Sequence, residues 1–201
     1  DGFSRLALLL FEQGKYGQAE KFWRVDMDRG RNGWWQQLRY AECLSALNGV
    51  ATAEEWISLV YDKYPSARNG YASLGWLVRE SNPEKAQLLF ERDVEEGRLT
   101  PGCQLNYAVF AAEQGRMAHA VQLVEASYAR QPSLKDGFAR IAKVIMADRA
   151  KFSEVDALYR KDAGQHRLSV DAMGSYLRAL IERNDIDIAQ QFIVFVKPFG
   201  V

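Results

Sequence analysis

The sequence predicts an all-α protein built from repeated pairs of helices. A small residue, alanine in five of six cases, recurs at intervals of 33 to 35 residues. A large apolar residue follows it four positions later, and because four residues make about one helical turn, the two share a helix face. A turn sequence and another apolar-periodic segment precede each of these helices. The position pairs are Ala19 and Trp23, Ala53 and Ile57, Ala86 and Phe90, Ala120 and Val124, Val155 and Tyr159, and Ala189 and Ile193.

These intervals divide the chain into six helix-turn-helix segments, at roughly 1–33, 34–68, 69–100, 101–135, 136–168 and 169–201. Helix-start signals support the division. Thr52 with Glu55, and Ser81 with Glu84, have the spacing of a capping box, and proline follows at a first helical position, residue 83. Proline is sparse and glycine is scattered, so no linker is evident. We therefore expect one continuous domain over residues 1–201.

The chain resembles the tetratricopeptide-repeat (TPR) family and related TPR-like α-solenoids, whose helix-turn-helix units of about 34 residues stack into a superhelix. The resemblance covers the whole chain and implies a right-handed α-solenoid of about six repeats. It also implies that the second helix of one repeat packs against the first helix of the next. Further matching positions are small residues near the middle of the first helices, namely Ala7, Ala41, Gly75, Ala108 and Ala142.

A longer period groups the repeats in twos. The related segments "DGFSRLA", "NGYASLG" and "DGFARIA" begin at residues 1, 69 and 136, which gives three double units of about 67 residues. Each double unit also contains an aspartate, an arginine five residues later and a tyrosine nine residues after that. The three trios are Asp26, Arg31 and Tyr40, then Asp93, Arg98 and Tyr107, then Asp162, Arg167 and Tyr176.

The recurring trio has two interpretations. A carboxylate near a phenol and a guanidinium could carry out acid-base chemistry or bind a ligand. Three copies at separate places in a stack indicate a structural role instead, because an active site needs one concave cluster. A buried polar group without a partner costs about 1 to 3 kcal/mol. We therefore expect each aspartate to pair with the following tyrosine, as Asp26 with Tyr40, at a junction between repeats.

The sequence contains no other clear candidates for catalytic, metal-binding or phosphate-binding residues. The only histidines, His119 and His166, are 47 residues apart with no metal-ligand spacing around them. No GxxxxGK phosphate loop and no Ser/His/Asp arrangement is evident. The sequence therefore predicts no catalytic residues, no metal, no cofactor and no enzymatic activity.

The composition limits the classes of partner that the chain is expected to bind. Lys plus Arg equals Asp plus Glu at 26 each, which argues against nucleic acid. No apolar run approaches the roughly 20 residues that span a bilayer, so no membrane insertion is expected. The cysteines Cys43 and Cys103 fit no disulfide framework and leave the compartment open. The cytoplasm is slightly favoured, and the periplasm is the alternative. A start at Asp1 suggests an excerpt from a longer protein, and homo-oligomerisation stays open.

First helices line the concave face of TPR proteins and contact an extended peptide or a partner helix. The resemblance therefore implies a protein-interaction scaffold within a larger assembly. The alternative is a pentatricopeptide-like RNA reader, which would use polar residues of each repeat to recognise bases. Tryptophan and arginine are frequent binding hot spots. The candidate groove residues are Trp35, Leu38, Glu42, Trp76, Arg79, Leu105, Val109, Lys143, Met146 and Arg178.

Overall fold

The computed structural model describes residues 2–199, and helices are the only regular elements in that range. The chain divides into two compact units, Asp1–Cys103 and Gln104–Val201. Residues 1, 200 and 201, which the predicted outermost repeats include, lie outside the described range. The prediction of an all-α fold made of paired helices is confirmed, whereas a single domain, the number of repeats and a right-handed solenoid stay predictions.

The first unit consists of helices that pack as consecutive pairs. The members of each pair contact one another most. The α1–α2 pair contacts the next pair mainly through α2, whereas α3 and α4 both contact α5. An aromatic series runs through its core: Phe11 meets Trp23, Trp23 meets Tyr40, and Tyr40 meets Trp56, with ring centroids 5.1 to 6.2 Å apart. The helices are α1 (Gly2–Glu12), α2 (Tyr16–Asp28), α3 (Trp34–Asn48), α4 (Val50–Lys63), α5 (Gly70–Val78) and α6 (Pro83–Glu95).

Helix α7 (Pro101–Glu113) spans the point at which the units divide, and the second unit continues with paired helices. Its aromatic core stacks Tyr159 on Tyr176 with centroids 4.2 Å apart, and Phe192 meets Tyr176 edge-on. The further helices are α8 (Met117–Arg130), α9 (Gly137–Ile145), α10 (Phe152–Gly164), α11 (Val170–Glu182) and α12 (Ile186–Val196), with 3-10 turns at Arg149–Lys151 and Lys197–Phe199.

The small residues that define the period lie where second helices approach their neighbours closely. All six are buried, from Ala19 to Ala189. The large residue four positions later is also buried in the first five cases, but Ile193 is half-exposed. Helix α12 is the last α-helix of the described range, and it buries Phe192 instead. Position 193 therefore departs from the pattern of the other five.

Helix starts differ in detail from the sequence prediction. Pro83 does stand at the beginning of α6, but the cap is Asn82, whose side chain accepts a hydrogen bond from the Lys85 amide. The Ser81 hydroxyl bonds backwards to the Val78 carbonyl. Thr52 lies inside α4, which begins at Val50. Capping boxes at these two helices are therefore not formed, because each helix starts at a residue other than the one that the motif assigned.

Two residues in the left-handed conformation close the α5–α6 and α9–α10 segments. Asn69 has φ 63° and Asp136 has φ 61°. The Asn69 amide donates to the Arg98 carbonyl, and its side-chain oxygen accepts from the Thr100 amide at 2.8 Å. Asp136 bonds the Arg167 carbonyl and the Ser169 amide in the same way. Each helix pair is therefore bonded at its two chain ends.

Candidate functional site

Asp93 is fully buried and receives hydrogen bonds from two helices. The Tyr61 hydroxyl, on α4, donates to one carboxylate oxygen at 2.6 Å, and the Ala72 amide, in the first turn of α5, donates to the other at 2.7 Å. The Tyr61 hydroxyl accepts in turn from the Gly70 amide at 2.6 Å. Because Asp93 belongs to α6, the network joins three consecutive helices.

The second unit contains the same network around Asp162. The Tyr128 hydroxyl, on α8, donates to the Asp162 carboxylate at 2.5 Å and accepts from the Gly137 amide at 2.6 Å. The Ala139 amide donates to the other carboxylate oxygen at 2.8 Å. Helices α8, α9 and α10 therefore meet around one buried carboxylate, as α4, α5 and α6 do. We call each arrangement of aspartate, tyrosine, glycine and alanine a buried carboxylate network.

The recurring arginine covers each tyrosine of these networks. The Arg98 guanidinium lies 4.0 Å from the centroid of the Tyr61 ring and donates to the Ala67 carbonyl at 3.0 Å. Arg167 lies 4.0 Å from the Tyr128 ring and donates to the Pro132 carbonyl at 2.8 Å. Stacking of guanidinium on an aromatic face is favourable. The arginines therefore fix the loops that lead into α5 and α9.

The first copy of the network is built differently. The amide and the hydroxyl of Ser4 both lie 2.8 Å from one oxygen of Asp26, and Arg31 forms an ion pair of 2.7 Å with the other oxygen. Ser4 corresponds to Ala72 and Ala139 in the related segments. The position that would correspond to the tyrosine, nine residues before Gly2, precedes the first residue of this sequence. Arg31 thus contacts the carboxylate directly.

The predicted pairing of aspartate with the following tyrosine is wrong for Asp26 with Tyr40 and for Asp162 with Tyr176. The Tyr40 hydroxyl donates to Glu20 at 3.4 Å, and the Tyr176 hydroxyl donates to Asp156 at 2.8 Å. The reason is geometric. The helices run antiparallel, so a tyrosine well inside one helix lies opposite an early turn of the preceding helix and not its end. The hydroxyl that reaches Asp93 is likewise that of Tyr61, and Tyr107 packs edge-on against His119.

The tyrosines that do reach the carboxylates, Tyr61 and Tyr128, were not among the predicted site residues. A signal for them exists in the sequence. Segments 61–70, "YDKYPSARNG", and 128–137, "YARQPSLKDG", share tyrosine, then Pro-Ser, then an Asn or Asp followed by glycine, at identical spacing. The first double unit has no counterpart of this motif within the sequence, so a search for residues present in all three copies does not find it.

Burial shifts the acid-base equilibria of the network. Burial raises the pKa of Asp93 and that of Asp162 to about 6, against the opposing effect of the tyrosine and amide hydrogen bonds. Burial and the neighbouring aspartate also raise the pKa of Tyr61 and of Tyr128. For Asp26, burial acts to raise the pKa, but the hydrogen bonds from Ser4 and nearby positive charge, including that of Arg31, together hold the pKa below its ordinary value. These groups are engaged with the fold, which fits a structural role.

The predicted groove residues fall into buried and accessible sets. Leu38, Glu42 and Leu105 are buried, so the expectation that they face a partner is corrected. Glu42 forms an ion pair of 2.6 Å with Arg39, and burial raises the pKa of Glu42 to about 7. The partly buried positions are Trp76, Arg79, Val109 and Met146, and the exposed positions are Trp35, Lys143 and Arg178.

In the first unit, an open cavity of about 300 Å³ lies between α1 and α3. The Trp35 ring, which is 50% exposed, forms one wall. Leu8 and the stem of Arg5 supply further apolar surface, and Ser4 and Gln36 complete the lining. Trp76 is less accessible, because the Arg79 guanidinium stacks 4.0 Å above its ring. Trp35 is therefore the most accessible aromatic group of the predicted groove.

In the second unit, an open cavity of about 450 Å³ lies between α9 and α11. Most of its lining residues have polar side chains, and these carry charges of both signs. Arg140 is tied to the Asn106 side chain at 2.6 Å, and Asp136 accepts from the Ser169 amide. The predicted groove residue Lys143 lies at this cavity. The lining residues are Lys135, Asp136, Ala139, Arg140, Lys143, Tyr159, Ser169, Asp171, Ala172 and Ser175.

Neither a metal-binding cluster nor a membrane-spanning helix occurs in the described range. Among residues 2–199, no group of three or more His, Cys, Asp or Glu side chains is arranged to hold a metal ion. In the same range, no helix combines the length and the apolar character needed to cross a membrane.

Comparisons with known proteins add no assignment. No protein-family model matches the chain, and no curated protein matches it.

Proposed function

We propose that this chain is a non-enzymatic protein-interaction scaffold of the TPR-like α-solenoid type, which binds a peptide or helix of a partner within a larger assembly. The single observation that carries the proposal is the cavity beside Trp35. A large aromatic side chain that stays half-exposed next to Leu8 and an arginine stem offers an apolar seat with polar edges. Such a seat suits one anchoring side chain of a bound segment.

The use of buried polar groups supports a scaffold over an enzyme. The carboxylates of Asp93 and Asp162 are enclosed by tyrosine hydroxyls and backbone amides of neighbouring helices. The thiol of Cys43 is buried, and burial raises its pKa to about 11, which suppresses the nucleophilic thiolate. Asp93, Asp162 and Cys43 are thus enclosed by the fold instead of facing a cavity where a substrate could react.

The proposal can be tested by selecting peptides from a random display library against the purified chain. Peptides retained by the chain should lose affinity about tenfold or more on Trp35→Ala, because truncation of a central aromatic anchor typically has an effect of that size. Leu59→Ala is the matched control, since Leu59 is 61% exposed on the second helix α4. Circular dichroism should show unchanged helix content in both variants.

Binding of a random RNA pool to the chain is measured as the test of the alternative function. Salt-sensitive retention of RNA by the chain, without selection of any peptide that depends on Trp35, would overturn the proposal in favour of the RNA-reading alternative.

A further inference from the structure

A cavity of about 170 Å³ in the first unit lies between the first turn of α3 and the end of α4. Gln37 lines the cavity, and its side chain is only 8% exposed. The Gln37 amide nitrogen donates to the Asn32 carbonyl at 3.2 Å and to the Tyr64 hydroxyl at 3.1 Å. A carbonyl oxygen only accepts, so the amide oxygen, Oε1, must point away from Asn32. Among residues 2–199, none donates a hydrogen bond to this oxygen.

The second unit shows which group binds an acceptor in this place. Gln104 and Arg130 correspond to Gln37 and Lys63, because each lies 67 residues further along the chain, one double unit later. Gln104 is 7% exposed, and the Arg130 guanidinium donates to its Oε1 at 2.9 Å. Arg130 is itself an exposed residue. A guanidinium therefore satisfies the buried amide oxygen while it keeps contact with water.

Lysine replaces this arginine in the first unit. The Lys63 ammonium lies 5.3 Å from the centroid of the Tyr64 ring, and the residue is exposed. An ammonium group is compact and strongly hydrated, whereas a guanidinium is planar and more weakly hydrated. The lysine beside the cavity thus stays in solvent and does not supply the donor that arginine supplies in the second unit. The Gln37 oxygen is left for a group from outside the chain.

The cavity has the size and the lining that a guanidinium requires. A cavity of about 150 Å³ can hold a benzene molecule, so there is room here for one planar group. Trp56 and Tyr64 line the cavity together with Gln37. Aromatic rings attract a guanidinium placed against them. The Trp56 indole nitrogen donates to the Gln37 backbone carbonyl at 3.1 Å, which holds this ring against the first turn of α3.

We propose that this cavity binds the guanidinium group of a ligand, in the place relative to Gln37 that Arg130 occupies relative to Gln104. The guanidinium would donate to Gln37 Oε1 and lie against Trp56 and Tyr64. Arginine side chains of a partner protein and small guanidinium compounds share this chemistry, so the test includes both.

The charge of Lys63 does not prevent such binding, because an exposed ammonium can turn into solvent and is screened by salt. The site is separate from the Trp35 cavity, which lies between α1 and α3. The inference therefore does not depend on the proposed function, and Trp35→Ala should leave guanidinium binding unchanged.

Binding is measured by nuclear magnetic resonance on the isotopically labelled chain, from shifts of the Gln37 side-chain amide and Trp56 indole N–H signals. The probes are the peptide acetyl-Gly-Gly-Arg-Gly-Gly-amide, the same peptide with lysine in place of arginine, and free arginine. One anchored group gives a weak complex, so the arginine peptide should bind with a Kd on the order of 1 mM. The lysine peptide should bind about fivefold more weakly or worse, because an ammonium lacks the planar fork of donors.

Substitutions at Lys63 provide the decisive comparison. Lys63→Arg restores the residue of the second unit, so it should fill the cavity from within and weaken binding of the arginine peptide about tenfold. Lys63→Gln is the matched control, because it changes the same exposed position without adding a guanidinium, and it should retain binding. Gln37→Glu should strengthen binding several-fold, since hydrogen bonds between charged groups are stronger than those to a neutral amide.

Two results would overturn the proposal. One is equal binding of the arginine and lysine peptides, or no shift with either at concentrations on the order of 10 mM. The other is undiminished binding of the arginine peptide to the Lys63→Arg chain. If the guanidinium does bind, free arginine identifies the source of the ligand. Tighter binding of the peptide assigns the site to a polypeptide, whereas equal or tighter binding of free arginine assigns it to a small molecule.

Discussion

A single hydroxyl group at Tyr61, and another at Tyr128, connects three helices in each buried carboxylate network. The hydroxyl of Tyr128 donates to Asp162 and accepts from the Gly137 amide, so its removal leaves a buried acceptor and a buried donor together. Such losses are costly because neither group can turn to water instead. The hydroxyl of Tyr40, by contrast, makes a long bond of 3.4 Å to partly exposed Glu20 and lies beside exposed Arg24.

Tyr128→Phe should therefore lower the free energy of unfolding by about 1 to 3 kcal/mol, the typical cost of buried polar groups left without partners. Urea unfolding followed by circular dichroism measures it. Tyr40→Phe is the matched control and should cost clearly less. If the two substitutions cost the same, the network would not be the source of the stability that we assign to it.

At the scale of helices, glycine has two opposite roles in the chain. Gly137 begins α9 where α8 passes closely, and a Cβ there would collide with Val124 and Tyr128. Gly174 lies within α11 and a Cβ there would meet nothing within 4 Å. The first glycine is required by packing between helices, whereas the second only weakens its own helix, since glycine is a poor helix former.

Gly137→Ala should destabilise the protein by about 1 to 3 kcal/mol, the usual range for overpacking at a tight contact. Gly174→Ala should stabilise it by about 0.5 to 1 kcal/mol through helix propensity. Both values come from urea unfolding of the two variants beside the unchanged chain. A Gly137→Ala protein of unchanged stability would show that α8 can move away from α9 without loss.

The repeat of about 34 residues was the main basis for predicting the paired helices. Alanine at intervals near 34 residues is sufficient to predict paired helices, because a small residue that recurs on one face marks a close contact. The partners of Asp26 and Asp162 could not be obtained in the same way. A hydroxyl reaches a carboxylate only if helix direction and offset both allow it, and sequence spacing fixes neither. The burial of Leu38, Glu42 and Leu105 could not be predicted for the same reason. The sequence places these residues on one face of a helix but does not show which neighbouring helix packs on that face.

At the scale of the whole molecule, buried carboxylates should make stability depend on pH. Burial raises the pKa of Glu42 from an ordinary value of 4.5 to about 7. Between these values the folded chain holds a proton that the unfolded chain has released. The stability that Glu42 contributes is therefore fully present below pH 4.5 and is lost as the pH rises through about 7.

Glu42→Gln should flatten this dependence. The free energy of unfolding of the variant relative to the unchanged chain should increase between pH 4.5 and pH 7.5, by at most about 1.4 kcal/mol per pH unit. Urea unfolding at a series of pH values measures it. Glu55→Gln, at an exposed position on α4, should give a flat difference. A flat difference for Glu42→Gln as well would mean that its ion pair with Arg39 keeps the carboxylate charged throughout.

The left-handed residues Asn69 and Asp136 have a consequence for how such a chain can change in length. The Thr100 amide lies 2.8 Å from the Asn69 side chain, and the Ser169 amide lies 2.6 Å from the Asp136 side chain. The entry and exit of each segment are thus neighbours in space. A gene that gained or lost one such segment would need to rejoin the polypeptide across only a short gap. Duplication or deletion of such a segment would therefore require little rearrangement of the backbone. The three related copies are the pattern that such events would produce.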